Sequence, residues 1–250
     1  EDGRDFDSTV VVSAMNPVST LLDLVPKGTL DPELCATLCQ LPMQGCMGKV
    51  YLAMDALPEY AASRGREETE LMHRLGFRAG PSVAGMDRAY QKALHGDWSG
   101  DPIIYGITQT AIDESLNPKG RHLMSLSVCY APYDLKGGDW DLQKGDWVRH
   151  TVDALAEHMP NLPDIIVDHG SLTPKDLEDR YGLREAHALH GEVMTSRMFQ
   201  WRPLSGYSDY TSPIRSLYLC SNGTWPANYV TGLPGRNASL RVLADLSNEK

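Results

Sequence analysis

The chain has 250 residues, and 23 Lys and Arg stand against 33 Asp and Glu, which gives a formal net charge of −10. Hydrophobic residues make up 42% and charged residues 22%, which is ordinary for a globular protein and excludes a disordered or fibrous chain. The acidic balance argues against nucleic acid or an anionic membrane as the main partner, because both bind basic surfaces. The sequence contains no run of about 18 apolar residues, the length that a membrane span needs.

The hydrophobic pattern, taken in chain order, predicts strands and helices in alternating groups. Strands are expected over 9–12, 48–54, 102–108, 122–130, 165–167 and 217–220. Helices are expected over 18–25, 31–41, 82–95, 145–159, from 173 onwards and over 234–246. The charged segment 61–80 is expected to be an exposed excursion, and Asp2-Gly3 is typical of a hairpin turn before the first strand. The fold class is therefore α/β (mixed), a sheet covered by helices.

Cysteine and histidine patterns point to neither a disulfide scaffold nor a metal centre. Five cysteines are an odd number spread over a long chain, which favours plain thiols. His187 and His190 would share a helical face, but no third ligand follows nearby, so no metal site is predicted. No secretory signal is present, and the expected location is cytoplasmic.

The most informative stretch runs from 206 to 238 and reads as a strand, a loop and a helix. The helix opens with Thr231-Gly-Leu-Pro-Gly235. The first turn of a helix leaves N–H groups unpaired and carries a partial positive charge, and small residues let a ligand approach the backbone. Such a helix start can receive a phosphate, a carboxylate or an electron-rich heterocycle. The alternative is an ordinary tight connection with structural glycines.

This stretch resembles the C-terminal signature of phytoene desaturase-like FAD-dependent oxidoreductases, relatives of the flavin amine oxidases. The resemblance extends in order over nearly the whole chain. The matching residues are Val11 to Pro17, Pro118 to Gly120 with His122 to Tyr133, Thr173 to Leu177, His190 to Glu192, Arg202-Pro203, Leu217 to Cys220, Gly223-Thr224, Pro226, Gly232 and Pro234 to Ala238.

The resemblance implies that the chain is the C-terminal half of a two-domain FAD-binding fold. Residues 1–26 and 204–250 would belong to the FAD-binding domain, and 27–203 would form a substrate-binding domain with a mixed sheet. The sequence lacks the G-x-G-x-x-G βαβ unit with which the family begins. A second polypeptide that carries this half is therefore the expected partner, and the chain would act as an enzyme only when assembled with it.

The resemblance also implies the site residues and the chemistry. The cofactor-binding candidates are Asn222, Gly223, Thr224, Trp225, Pro226, Tyr229, Gly232, Leu233, Pro234 and Asn237. The catalytic candidates are His190, with a structural histidine as the alternative, and Tyr207. The assembled enzyme would oxidise or desaturate a small or apolar organic substrate by hydride transfer to the flavin. Only a lipophilic substrate would give the protein a reason to contact a membrane.

One departure from the family pattern favours a second hypothesis. Ala227-Asn228-Tyr229 replaces the usual run of three glycines, and Trp225 replaces a common histidine. These bulky side chains could wall the flavin or shape a substrate pocket. They would also suit a degenerate half-fold that has lost the flavin and serves as a non-catalytic protein-binding or regulatory module.

Overall fold

The computed structural model describes residues 3–43, 47–116, 120–226 and 230–248. The chain divides into two compact units. The terminal unit joins Glu1–Gln44 to His187–Lys250, and the central unit is Gly45–Ala186. The assignment of 1–26, 27–203 and 204–250 to FAD-binding and substrate domains stays a prediction, since compactness does not report on ligands.

The central unit is built on a five-stranded sheet. The strands are β2 (Met47–Met54), β3 (Phe77–Ala79), β4 (Ile103–Thr108), β5 (His122–Cys129) and β6 (Ile166–Leu172). Their order is β3-β4-β5-β2-β6, and all described pairs are antiparallel. The sheet of this unit thus differs from the expected mixed sheet, because hydrophobic periodicity carries no information on strand direction.

Helices pack against both faces of this sheet. The helices of the central unit are α3 (Arg66–His73), α4 (Val83–Leu94), α5 (Trp140–Ala156), α6 (Leu162–Ile165) and α7 (Pro174–Tyr181). Alternate residues of β2 are fully buried, and Val50 and Leu52 lie in one core cluster with Trp147 and Leu155 of α5. Because successive side chains of a strand point to opposite faces, this alternation places the main core on one face of the sheet. Helix α7 packs on the other face, where Leu177 lies in a smaller buried cluster with Leu172 and Tyr51.

The terminal unit contains a short parallel pair and its own core. Strand β1 (Val11–Ser13) pairs with β7 (Leu217–Leu219). Helix α1 (Pro17–Ser19) continues into a π-helical turn over Thr20–Leu24, and α2 (Pro32–Cys39) and α8 (Leu233–Asn248) complete the unit. Val18, Leu21, Leu38 and Leu204 form the buried centre. The segment around Leu204 is therefore tied to the first helices by apolar packing.

These elements confirm the mixed α/β class and refine several boundaries. The segment 61–80 is mostly exposed, as expected, but it holds α3 and β3. Strand β6 extends past 167 through Asp168-His-Gly-Ser171, which are polar because β6 is a sheet edge. The turn at Asp2-Gly3 falls partly outside the described residues. Within the described part of the chain, no helix is both long enough and apolar enough to cross a membrane.

Candidate functional site

The predicted strand, loop and helix are present in the terminal unit. Strand β7 ends at Leu219, and the loop that follows is anchored on both sides, since the Cys220 N–H donates to Ser13 O at 2.8 Å and the Leu219 N–H to Tyr210 O at 2.8 Å. Helix α8 then begins at Leu233. Residues 227–229, which include the candidate Tyr229, lie outside the described residues.

The start of α8 offers open backbone. Gly232 has a φ of +73°, which non-glycine residues rarely adopt, and its carbonyl accepts from the Arg236 N–H at 3.0 Å. The Leu233 N–H donates to Thr231 Oγ1 at 3.3 Å. A Cβ added at Gly232 or Gly235 would meet no heavy atom within 4 Å. A ligand can therefore approach the first turn of this 16-residue helix without displacing a side chain.

A hydrogen-bonded chain joins α8 to the preceding loop. Asn237 Nδ2 donates to the Tyr210 hydroxyl at 2.7 Å, and that hydroxyl donates to Trp225 O at 2.6 Å. The Trp225 ring packs on Phe199, with 4.5 Å between ring centroids. The half-buried Asn237 and Trp225 are thus held by Tyr210, and both predicted site residues face the same loop–helix junction.

Three other cofactor candidates make contacts inside the protein. Asn222 Nδ2 donates to Ala188 O at 3.3 Å, and Thr224 Oγ1 donates to Ser221 O at 2.7 Å. Gly223 is buried, and a Cβ added there would overlap the ring of Pro17. Each of these residues therefore has a structural reason for its identity, and a contact with a cofactor stays a prediction for all three.

The side chain of Arg202 organises the segment beneath this loop. It is 3% exposed, and its guanidinium donates to four backbone carbonyls. The acceptors are the carbonyl oxygens of Leu189 (2.5 Å), Gly191 (3.2 Å), Glu192 (3.0 Å) and Asn222 (2.8 Å from Nη2). Burial lowers the pKa of Arg202 to about 10, which leaves it charged at neutral pH. One cation therefore ties segment 189–192 to the loop after β7.

His190 lies next to this arginine, and one of its ring nitrogens has no described hydrogen-bond partner. Its φ is +56°, and its Nδ1 is buried without a hydrogen-bond partner among the described residues. Burial, followed by the charges of His187 and Arg202, lowers the pKa of His190 to about 4. The imidazole is therefore neutral at physiological pH, as a hydrogen-bond or proton acceptor must be.

The depressed pKa of His190 predicts a pH dependence of stability. At a pH between 6.5, the ordinary pKa of histidine, and about 4, the pKa of His190 in the folded state, the unfolded chain binds a proton at His190 and the folded chain does not. The free energy of unfolding should therefore fall as the pH is lowered through this range, by about 1–2 kcal/mol from this group after solvent screening. His190→Asn, which tolerates the positive φ, should flatten that slope in denaturant titrations at pH 6.5 and 4. A slope in His190→Asn that equals the slope of the wild type would contradict the assignment.

The remaining candidates take ordinary places in the terminal unit. Tyr207 packs partly buried against the cluster that contains Leu204. Pro226 is half-buried, Leu233 is 39% exposed, and Pro234 is buried in the first turn of α8. The catalytic role of Tyr207 stays a prediction, since the described contacts of its side chain are apolar.

The two histidines of the H-x-x-H pattern lie in a turn and not on a helix, and both ring nitrogens of His187 have neighbours within the protein. His187 Nδ1 accepts from the backbone N–H groups of Leu189 (3.2 Å) and Gly191 (3.3 Å), and its Nε2 lies 3.4 Å from Glu192 Oε1. Among the described residues, no group of three or more His, Cys, Asp or Glu side chains could hold a metal ion.

Comparison with known proteins finds similar oxidoreductases. No protein-family model matches the chain. Pyridine nucleotide-disulfide oxidoreductase domain-containing protein 2 of Rattus norvegicus is 31% identical over 253 residues, which cover 99% of this chain and 44% of that protein. The protein of the same name from Mus musculus is 30% identical over the same shares. The chain thus spans less than half the length of these two relatives.

Two further matches concern an enzyme subunit and a solved structure. One subunit of the limonene dehydrogenase of Castellaniella defragrans is 29% identical over 117 residues, which cover 46% of this chain and 21% of that protein. The crystal structure of an oxidoreductase from Methanosarcina mazei aligns with a TM-score of 0.49 at 13% identity, over 98% of this chain and 44% of that chain. The names of the relatives found by sequence contain an oxidoreductase domain or a dehydrogenase subunit, and the narrower phytoene desaturase-like group stays a prediction.

Proposed function

We propose that this chain is a subunit or segment of an FAD-dependent oxidoreductase, completed by a polypeptide that carries the dinucleotide-binding half. The observation that carries the proposal is the start of α8, where Gly232 and Gly235 leave backbone open at the positive end of a long helix. The names of the relatives support it, since the mammalian pair is named for a pyridine nucleotide-disulfide oxidoreductase domain. We further propose that the group is the phytoene desaturase-like one, because its motifs run in order through this sequence.

The residues at the α8 start fit an electron-rich ring. When bound, FAD supplies an acceptor for the hydride that leaves the substrate. The helix N-terminus would stabilise negative charge that develops at the ring, and this interaction is worth most where water is excluded. Tyr210 holds Asn237 and the carbonyl of Trp225, so the junction would not need to rearrange on binding. His190, neutral at physiological pH, would accept a hydrogen bond or a proton.

The edge of the parallel pair supports a second polypeptide as partner. Within the described residues, β1 pairs with β7 on one side, and Val11 and Val12 are 53% and 49% exposed. A largely apolar groove of about 630 Å³ runs beside β1, between the 24–29 segment and residues 214–217. Exposed valines on a short parallel pair are typical of a larger sheet, because parallel sheets are buried on both faces. The dinucleotide-binding half would add its strands here.

Flavin content tests the location of the site. Gly235→Leu places a good helix former in the open space at the α8 start, so the fold should remain while the flavin bound per protein falls at least tenfold, as expected when a bulky side chain blocks a binding surface. Ser239→Leu, at an exposed position one turn further along α8, is the matched control and should keep its flavin. Both are measured from the visible absorption of the native complex purified through this chain.

The same experiment separates the enzyme from the non-catalytic module. Equal flavin in the two variants would place the cofactor elsewhere and overturn the role of α8. A wild-type complex without any flavin would favour the binding or regulatory module, in which Trp225 marks a lost site.

A further inference from the structure

The second face of the central sheet carries a row of polar side chains. Residues that stand directly opposite each other in antiparallel strands point to the same face. Arg78 on β3 faces Tyr105 on β4, Tyr105 faces Ser127 on β5, and Ser127 faces Lys49 on β2. The row therefore crosses four strands, with a cation at each end and about 14 Å between them, three strand spacings.

Lys49 is the unusual member of this row. Its side chain is half-buried on an interior strand, and burial lowers its pKa. Its Nζ donates to Ser127 Oγ at 2.9 Å and lies 5.8 Å from the centre of the Tyr51 ring. In the described part of the chain, no carboxylate forms an ion pair with it. Burying an ammonium group without an anion costs free energy. An external anion that pairs with the Lys49 ammonium group would therefore bind there with a favourable free energy.

The surroundings of Lys49 are apolar or hydroxylic rather than acidic. In the next row of the same face, Tyr51 on β2 stands opposite Ser125 on β5, and Ser125 stands opposite Ile107 on β4. The carboxylate on this face of β6 is Asp168, which is exposed and stands opposite Ala53, two rows from Lys49. Lys175 and Lys144, by contrast, pair with Asp134 and Asp176. In a protein with a net charge of −10, Lys49 is thus held apart from the acidic groups.

We propose that Lys49 binds the carboxylate of an otherwise apolar substrate, whose body lies along Ile107 and Tyr105, on the part of this face that lies on the β4 side of Lys49, away from α7. The inference rests on the proposed function, since it names the substrate class of that oxidoreductase. Ser127 orients the ammonium group, and the side chains of Ile107 and Tyr105 supply the apolar surface. Lys49 is a binding residue that sets specificity and holds one end of the substrate.

Binding of octanoate, with octanamide as its uncharged match, tests the proposal by isothermal titration calorimetry on the 250-residue chain. The wild type should bind octanoate about tenfold more tightly than octanamide, as expected for one charge-assisted hydrogen bond. Lys49→Met, which keeps the apolar stem, should abolish this preference, and Lys49→Arg should retain it. Circular dichroism before each titration confirms that the variants are folded.

A matched control lies on α4. Lys92 also donates to a serine hydroxyl, Ser99 Oγ at 3.1 Å, but it stands at an exposed position of its helix. Lys92→Met should therefore leave the preference for octanoate unchanged. A wild type without preference for octanoate, or a preference that survives in Lys49→Met, overturns the proposal. The titration needs neither flavin nor turnover, so its failure would leave the proposed oxidoreductase standing, and a missing flavin would not alter its result.

Discussion

Arg202→Met should lower the free energy of unfolding by about 3–5 kcal/mol, because four backbone carbonyl oxygens lose their donor at about 1 kcal/mol or more each. Arg202 is 3% exposed, and its guanidinium donates hydrogen bonds to the carbonyl oxygens of Leu189, Gly191, Glu192 and Asn222. A methionine side chain fills much of the volume of the arginine but has no hydrogen-bond donor. The four carbonyl oxygens would therefore be buried without a hydrogen-bond partner.

The control for this variant is the neighbouring arginine. Arg197 donates to Pro203 O at 3.2 Å and is only half-buried, so Arg197→Met should cost about 1 kcal/mol. Urea denaturation followed by circular dichroism measures both. A loss for Arg202→Met that is no larger than the loss for Arg197→Met would contradict the role given to the buried cation.

Gly223→Ala should be the second most damaging change, at about 3 kcal/mol, the upper end for overpacking in a filled interior. The added methyl group would overlap the ring of Pro17, and a proline ring cannot turn aside as a flexible side chain can. The loop after β7 would have to move away from α1, and the packing at the terminal unit's centre would loosen.

Gly235→Ala is the matched change with the opposite expectation. The added methyl group meets nothing within 4 Å, and alanine is the better helix former, so stability should stay level or rise by up to about 1 kcal/mol. Thermal unfolding of the two variants side by side checks the contrast. If the two variants have equal melting temperatures, the contact with Pro17 is not the reason that position 223 requires glycine.

Sequence reasoning predicts best where the pattern is local. The alternation of β2 and β5 and the amphipathic helices α4 and α5 follow from spacing alone, although α5 begins at Trp140, five residues before the predicted start. The Asp139 side chain accepts from the Leu142 N–H at 3.1 Å and sets that start. Gly137 and Gly138 stand directly before Asp139 and favour a loop, so the sequence does not single out Asp139 as the start of a helix.

The candidate site is harder to predict because its contacts are long-range. The sequence places Gly232 to Asn237 at a helix start, and α8 begins within one residue of the predicted position. The roles of Arg202 and Tyr210 depend on carbonyls that are remote in the chain, and no spacing pattern encodes such convergence. The family motif, in contrast, predicts a cofactor contact for residues whose described contacts lie within the protein. These residues are Asn222, Gly223 and Thr224.

The visible absorption spectrum of the native complex purified through this chain, with each co-purifying polypeptide identified by mass, shows whether the protein is part of a flavoenzyme. We expect a flavin spectrum together with a polypeptide segment that carries G-x-G-x-x-G, whether on a second chain or on a longer form of this one. A colourless, folded complex that lacks such a segment would contradict it.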